Sequence, residues 1–203
     1  MDSRRCFYFL EIFIFSFFRL QAQIIHTEPV FPLVNQSVII YYDAAEGNQG
    51  LMGYTGDVYA HTGVITNLST SPSDWKYVKT NWGQNTQETK LERISANYYR
   101  LTISPDIRSY YGVPANEQIL KMAFVFRSGV TIGGSYKEGK DVGNADIFVD
   151  VYPPDLSINI TSPQGNHLIE AEGDTILVHA ISPQADSMWV FENGSLRKAV
   201  AGV

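Results

Sequence analysis

Tyr59, His61, Trp75, Tyr77 and Trp82 fall within one stretch, Gly56–Gly83 (GDVYAHTGVITNLSTSPSDWKYVKTNWG), which holds two of the three tryptophans in the chain. Side chains of these types suit one chemistry above others. The axial C–H face of a sugar ring is apolar and packs on an aromatic ring, while its hydroxyls exchange hydrogen bonds with His, Asn, Gln or Lys. Alternation along Val58–Ile65 puts Val58, Ala60 and Val64 on one face, with Tyr59, His61 and Ile65 on the other. The small apolar set belongs inside, which turns Tyr59 and His61 outward. With Trp75–Asn81 taken as a strand, Trp75 and Tyr77 share one face and Val78 and Trp82 the opposite one. The expected exposed set is therefore Tyr59, Trp75 and Tyr77, with Trp82 at the strand end. A platform containing both tryptophans needs a bulge or a strand end between them. On composition alone, burial of both tryptophans as core plugs is the favoured alternative.

Other chemistry has weaker support. Asp141, Asn144 and Asp146 space oxygen side chains two to three residues apart, a loosely calcium-like pattern without EF-hand spacing or its terminal Glu. A capped turn is the better reading there, and no cofactor is expected. The sequence has no G-x-S-x-G elbow, H-E-x-x-H, phosphate-cradling loop or mature cysteine nucleophile. Glu88, Glu92, Asp146 and Asp150 could be offered as a glycosidase pair, but nothing marks them, and the last two share a strand. His26, His61, His167 and His179 are scattered without metal-ligand spacing.

The elements that must position these residues are strands. The chain has 203 residues and is 44% hydrophobic and 18% charged, enough apolar material for a packed core. A formal net charge of −6 argues against nucleic acid as a partner. No helix-period pattern exceeds two turns after the first segment, so the class is all-β. Strands are expected at Ser37–Asp43, Val58–Ile65, Trp75–Asn81, Leu120–Arg127 and Ala145–Tyr152. Glu88–Ile94 and Tyr98–Ile103 should form a hairpin. Thr27–Val34 reads as an extended lead-in, and Pro105–Tyr111 as one helical turn capped by Ser104 and stopped at Gly112.

Arg4 and Arg5, the apolar run Cys6–Phe18 and the small-residue site Leu20-Gln21-Ala22 form a signal-peptide pattern over residues 1–22. The expected address is secreted or cell surface, with membrane contact only through that segment. Cys6 is the only cysteine and precedes cleavage, so the mature chain has no disulfide or thiol chemistry. Pro153-Pro154 marks a boundary, giving a β-sandwich module at 27–152 and a second region at 155–203. There Leu156, Ile158 and Ile160 alternate inward, then Ile176, Val178 and Ala180, and Asn193-Gly194 makes a hairpin turn. This reads as the opening half of an immunoglobulin-like sandwich, which takes about 100 residues, so the chain is expected to be part of a longer protein. A small four-stranded cap on the first module is the alternative.

Several uncommon strings then occur in order: GNQGL, YTGDVYAHTGVIT, DWKYVKTNWGQN, TKLERI, YYRLTISPDIRSYYGVP, KMAFVFRS and GKDVGNADIFVDVY. Over Val38–Tyr152 they resemble the N-terminal starch-binding-like module of secreted bacterial alpha-amylases of glycoside hydrolase family 13. The region after it is similar to the immunoglobulin-like domain that precedes a (β/α)8 catalytic barrel. The resemblance implies a monomeric, non-catalytic partner of an α-glucan polysaccharide, with Tyr59, Trp75 and Trp82 as the aromatic platform. His61 and polar groups of the Ser128–Asn144 loop would assist, and Thr131–Glu138 departs as an insertion. A structural spacer without sugar affinity and the front end of a whole enzyme are the competing readings. If the leader is cut as expected, mass spectrometry of the exported protein will show a mature N-terminus at Gln23, and retention of Met1 or Cys6 would overturn that assignment.

Overall fold

The computed structural model describes residues 23–156, 158–162 and 177–201. The expected leader (1–22), Cys6, His167 and Ile176 lie outside the described residues. The architecture is all-β. Eight strands build a sandwich: β1 (Ile25–Glu28), β2 (Val38–Asp43), β3 (Val58–Thr66), β4 (Glu92–Ser95), β5 (Tyr98–Ile103), β6 (Ile119–Ser128), β7 (Glu138–Gly139) and β8 (Ile147–Asp150). One antiparallel sheet has the order β1-β2-β5-β4. In the other, β3 pairs with β6, and β7 and β8 share the far edge of β6.

Period-two patterning explains the layers. In β2, Val38, Ile40 and Tyr42 are buried and alternate with half-buried Ile39, Tyr41 and Asp43. They meet Tyr99, Leu101 and Ile103 of β5. The facing sheet contributes Val58, Ala60 and Val64 of β3 and Met122, Phe124 and Phe126 of β6. The sheets touch directly where Tyr42 stacks on Phe126, with ring centroids 4.1 Å apart. As expected from its composition, β6 is central.

Four sequence expectations need correction. The lead-in contains a true strand, because Ile25–Glu28 pairs with Ile39–Tyr42. The helical turn is α1 (Ile107–Tyr111), and its cap is Asp106 rather than Ser104: the Asp106 carboxylate accepts from the Ser109 N–H at 2.8 Å. The segment 75–81 is no regular strand, and Lys76 makes only an isolated bridge with Val64. Gln87–Thr89 forms a 3-10 turn, so the hairpin is confined to β4 and β5.

After Pro153-Pro154, β9 (Asn159–Ser162) pairs with β10 (His179–Ile181), and β11 (Ser187–Glu192) pairs with β12 (Ser195–Ala201). Asn193 and Gly194 have φ of 49° and 78°, the left-handed pair that a tight hairpin needs. Leu156, Ile158, Ile160 and Val178 stand exposed rather than inward. No helix among the described residues is long and apolar enough to cross a membrane.

One polar pair ties helix to core. The Thr62 hydroxyl lies 2.6 Å from the buried Tyr111 hydroxyl and donates to Ala123 O at 2.8 Å. Replacing Thr62→Val leaves the Tyr111 hydroxyl buried without this partner. That should cost about 1–3 kcal/mol, measurable as a shift of the urea midpoint at unchanged slope.

Candidate functional site

The pairing of β3 with β6 sets which side chains reach the surface. Tyr59 lies opposite Arg127, His61 opposite Val125 and Gly63 opposite Ala123. All point away from the core, because Ala60, Thr62 and Val64 on the alternate positions are fully buried. Across β6, Phe148 of β8 joins the same outer face.

The segment after β3 returns along its free edge. Val64 and Lys76 exchange both backbone hydrogen bonds, at 2.9 and 2.8 Å. A regular ladder would next join Thr62 to Val78, yet the bond to Thr62 O comes from the Lys79 N–H at 2.9 Å. One extra residue is therefore inserted in the edge segment, a β-bulge. Tyr77 sits in it with φ of 51°. Gly63 makes the close approach possible: a Cβ there would meet Lys76 O at 2.9 Å and Val78 at 3.0 Å.

Pairing with β3 resumes for one bond at Lys79 and the chain then turns, and both Trp75 and Trp82 come to lie against His61. The His61 imidazole lies between them. Its ring is stacked near Trp75 (centroids 5.8 Å, planes 27° apart) and meets Trp82 edge-on (5.1 Å, 84°). Trp82 is 47% exposed and Trp75 is half-buried, so neither indole is a core plug. The Trp75 indole N–H donates to Pro72 O at 3.1 Å, which fixes the ring against its own loop, with Phe148 at its edge.

Tyr77, expected beside Trp75, turns the other way. It packs against the core, and its hydroxyl donates to Glu117 at 2.5 Å. The left-handed backbone at the bulge is the physical reason. Glu117 also accepts from the Thr66 hydroxyl, and these hydrogen bonds, Thr66 first, hold its carboxyl below the usual carboxylate range. Tyr59 does lie on the outer face, half-buried, under the Arg127 guanidinium.

Two members were not singled out from sequence. Tyr136 meets Trp82 edge-on at 6.1 Å, and Arg127 lies between the rings of Tyr136 and Tyr59, 4.9 and 5.5 Å from their centroids. Arg127 is only 1% exposed. Its guanidinium donates to Gln84 O at 2.5 Å and to Ser128 O at 3.1 Å, with no carboxylate partner among its hydrogen bonds. The signal was present in LKMAFVFR: Arg127 has the parity of the outward Val125, opposite to that of Phe126. Tyr136 follows Gly133-Gly134 in a loop whose conformation no local pattern specifies. Gly83, beside Trp82, has φ of 83°, and a Cβ there would meet the Tyr136 hydroxyl at 2.8 Å, so only glycine fits.

Elsewhere, polar groups are already engaged. Asp141 caps a short 3-10 turn by accepting from the Val142 N–H, Asn144 accepts from Asn48, and Asp146 pairs with Lys140 at 3.5 Å. No group of three or more His, Cys, Asp or Glu side chains converges among the described residues. Glu88, Glu92 and Asp150 each lie in an ion pair, with Lys79, Arg100 and Lys121.

Neither a protein-family model nor a curated protein matches this chain. Among solved structures it shows a slight likeness to a point mutant of Kfla1895 (TM-score 0.27, 13% identity, 78% of this chain and 16% of that chain). A second is that mutant in complex with cyclobis-(1->6)-alpha-nigerosyl (TM-score 0.26, 13% identity, 78% and 17%). The chain spans about a sixth of the length of those proteins, and a likeness of this size assigns no function.

Electrostatics make the site uncharged at its centre. Burial, then the positive charge of Arg127, push the His61 pKa below the ordinary 6.5, with Asp146 acting weakly in the opposite direction. Because the folded state holds the neutral ring, the unfolded chain binds more protons as pH falls. His61 therefore contributes stability that is present above pH 6.5 and lost as pH drops through its lower folded value. NMR titration should show the His61 ring protonating below the normal range. In Arg127→Met its pKa should rise yet stay below 6.5, since burial is the larger cause.

Proposed function

We propose that the module at 27–152 binds an α-glucan chain without cleaving it, through Trp75, His61 and Trp82, with Tyr59 and Tyr136 at the flank. One observation carries this reading: an imidazole held between two partly exposed indoles on the outer face of a β-sheet. Indole faces offer apolar surface to the C–H side of a sugar ring, and His61 offers a neutral hydrogen-bonding edge. The acidic balance of the chain suits a neutral ligand better than a polyanion. The resemblance of Val38–Tyr152 to the N-terminal modules of secreted bacterial alpha-amylases supports starch as the glucan.

In this reading residues 1–22 direct export to the surface or medium. The region 155–203 opens an immunoglobulin-like domain, and the module holds polysaccharide for a glycoside hydrolase barrel in the same protein. Tyr77 supports the site from behind, by fixing the bulge against Glu117.

Retention on insoluble amylose tests it. Each stacked ring is worth about 1–3 kcal/mol by analogy with base–aromatic stacking, so the Trp75→Ala, Trp82→Ala double variant should bind at least about 30-fold more weakly. If the unmodified chain passes amylose at millimolar site density without retardation, the module is a spacer and the reading falls.

A further inference from the structure

Two buried polar atoms of the aromatic surface have no hydrogen-bond partner among the described residues, Nδ1 of His61 and Nε of Arg127. Both side chains stand on the outer face of the β3–β6 ladder. His61 pairs with Val125 and Tyr59 with Arg127, so His61 and Arg127 are diagonal neighbours across it. Neither side chain is free to turn. The terminal nitrogens of Arg127 are held by Ser128 O and Gln84 O, and its guanidinium lies between the rings of Tyr59 and Tyr136. The imidazole is held between Trp75 and Trp82. Its second nitrogen, Nε2, also makes no protein hydrogen bond, but it is open to the surface.

A neutral imidazole has one N–H and one lone pair, and the surroundings decide which nitrogen carries the proton. A proton on Nδ1 would bury a second unsatisfied N–H close to a cation whose own Nε–H is unsatisfied. A lone pair on Nδ1 instead turns the negative end of the ring dipole toward Arg127. Asp146, whose charge acts on the ring in the opposite sense, lies 3.5 Å from Lys140 and accepts no hydrogen bond from His61.

We propose that Arg127 is a positioning residue that keeps the His61 proton on Nε2, so that the ring meets its ligand as a hydrogen-bond donor only. The inference rests on the glucan-binding reading for the identity of that ligand, and it names the group selected there. The contact takes an oxygen lone pair of the sugar, and it rejects the ammonium of an amino sugar, which has only donors. The opposite tautomer would present a bare nitrogen and select a donor. At 1% exposure Arg127 stays beneath the surface, yet it sets the polarity of the contact above it.

Long-range nitrogen–proton correlation NMR tests this on the unmodified chain, without ligand and at a pH where the ring is neutral, with His61→Gln assigning the signal. His61 should appear as a single tautomer, with Nε2 protonated and Nδ1 bare. In Arg127→Met the two nitrogen shifts should move toward each other as the proton exchanges between them. Arg127→Lys keeps the charge and should restore them, whereas a purely packing role would disturb both variants alike. If Arg127→Met does not fold, Arg127→Gln makes the same measurement. Maltoheptaose affinity should fall about 5-fold in the uncharged variant, the loss of one hydrogen bond. A proton on Nδ1 or averaged nitrogens in the unmodified chain, or shifts indifferent to loss of the Arg127 charge, overturn the inference and leave the glucan-binding reading intact. If the tautomer is as stated but maltoheptaose moves no His61 signal, the glucan-binding reading falls and the assignment of the proton stands.

Discussion

The ladder between β3 and β6 is the constraint on which the rest of the module depends. Nine residues of β3 have partners in β6, and alternation along this pair divides the side chains into two populations. Ala60, Val64, Met122, Phe124 and Phe126 fill the space against the other sheet. Tyr59, His61, Val125 and Arg127 form the floor of the aromatic surface. A slip of one residue would exchange the two sets and expose the core. Hydrophobic burial on one face therefore fixes the position of His61 on the other, and the site needs no stabilising logic of its own at that point.

Arg127 shows how far the site departs from an ordinary sheet surface. A fully buried cation without a carboxylate is costly. Here the cost is offset by two carbonyl oxygens and two ring faces, each cation–π contact being worth about 0.5–2 kcal/mol. The same guanidinium joins three segments: β6, the 83–85 turn through Gln84 O, and the glycine-rich loop through Tyr136. It joins the loops that carry Trp82 and Tyr136, and its charge adds to the larger effect of burial in lowering the His61 pKa.

Much of the frame was legible in the sequence, and the reasons are local. β2, β3 and β6 alternate cleanly, so both their existence and their facing could be read from parity. β1 was missed because Pro29 and Pro32 dominate its neighbourhood, while its pairing depends on distant Ile39–Tyr42. The helix cap was misplaced by two residues, since Ser104 and Asp106 are both good caps and only the fold chooses. Of the site, His61 and Tyr59 followed from alternation. The co-facing of Trp75 and Trp82 did not, because it depends on a left-handed tyrosine, a conformation that side chains of that bulk rarely adopt. Tyr136 and Arg127 come together only through tertiary contacts.

The inserted residue at Tyr77 acts as a frame setter. In an unbroken strand the spacing of seven positions between Trp75 and Trp82 would place the two indoles on opposite faces; the inserted residue, with the turn that follows Lys79, brings both to His61. Segment length is then held more tightly than segment composition. Loss or gain of one residue there would rotate Trp82 away from His61 while leaving every aromatic residue in the sequence. Divergent versions of this edge should tolerate substitution at Val78 or Asn81 far more readily than any change in count.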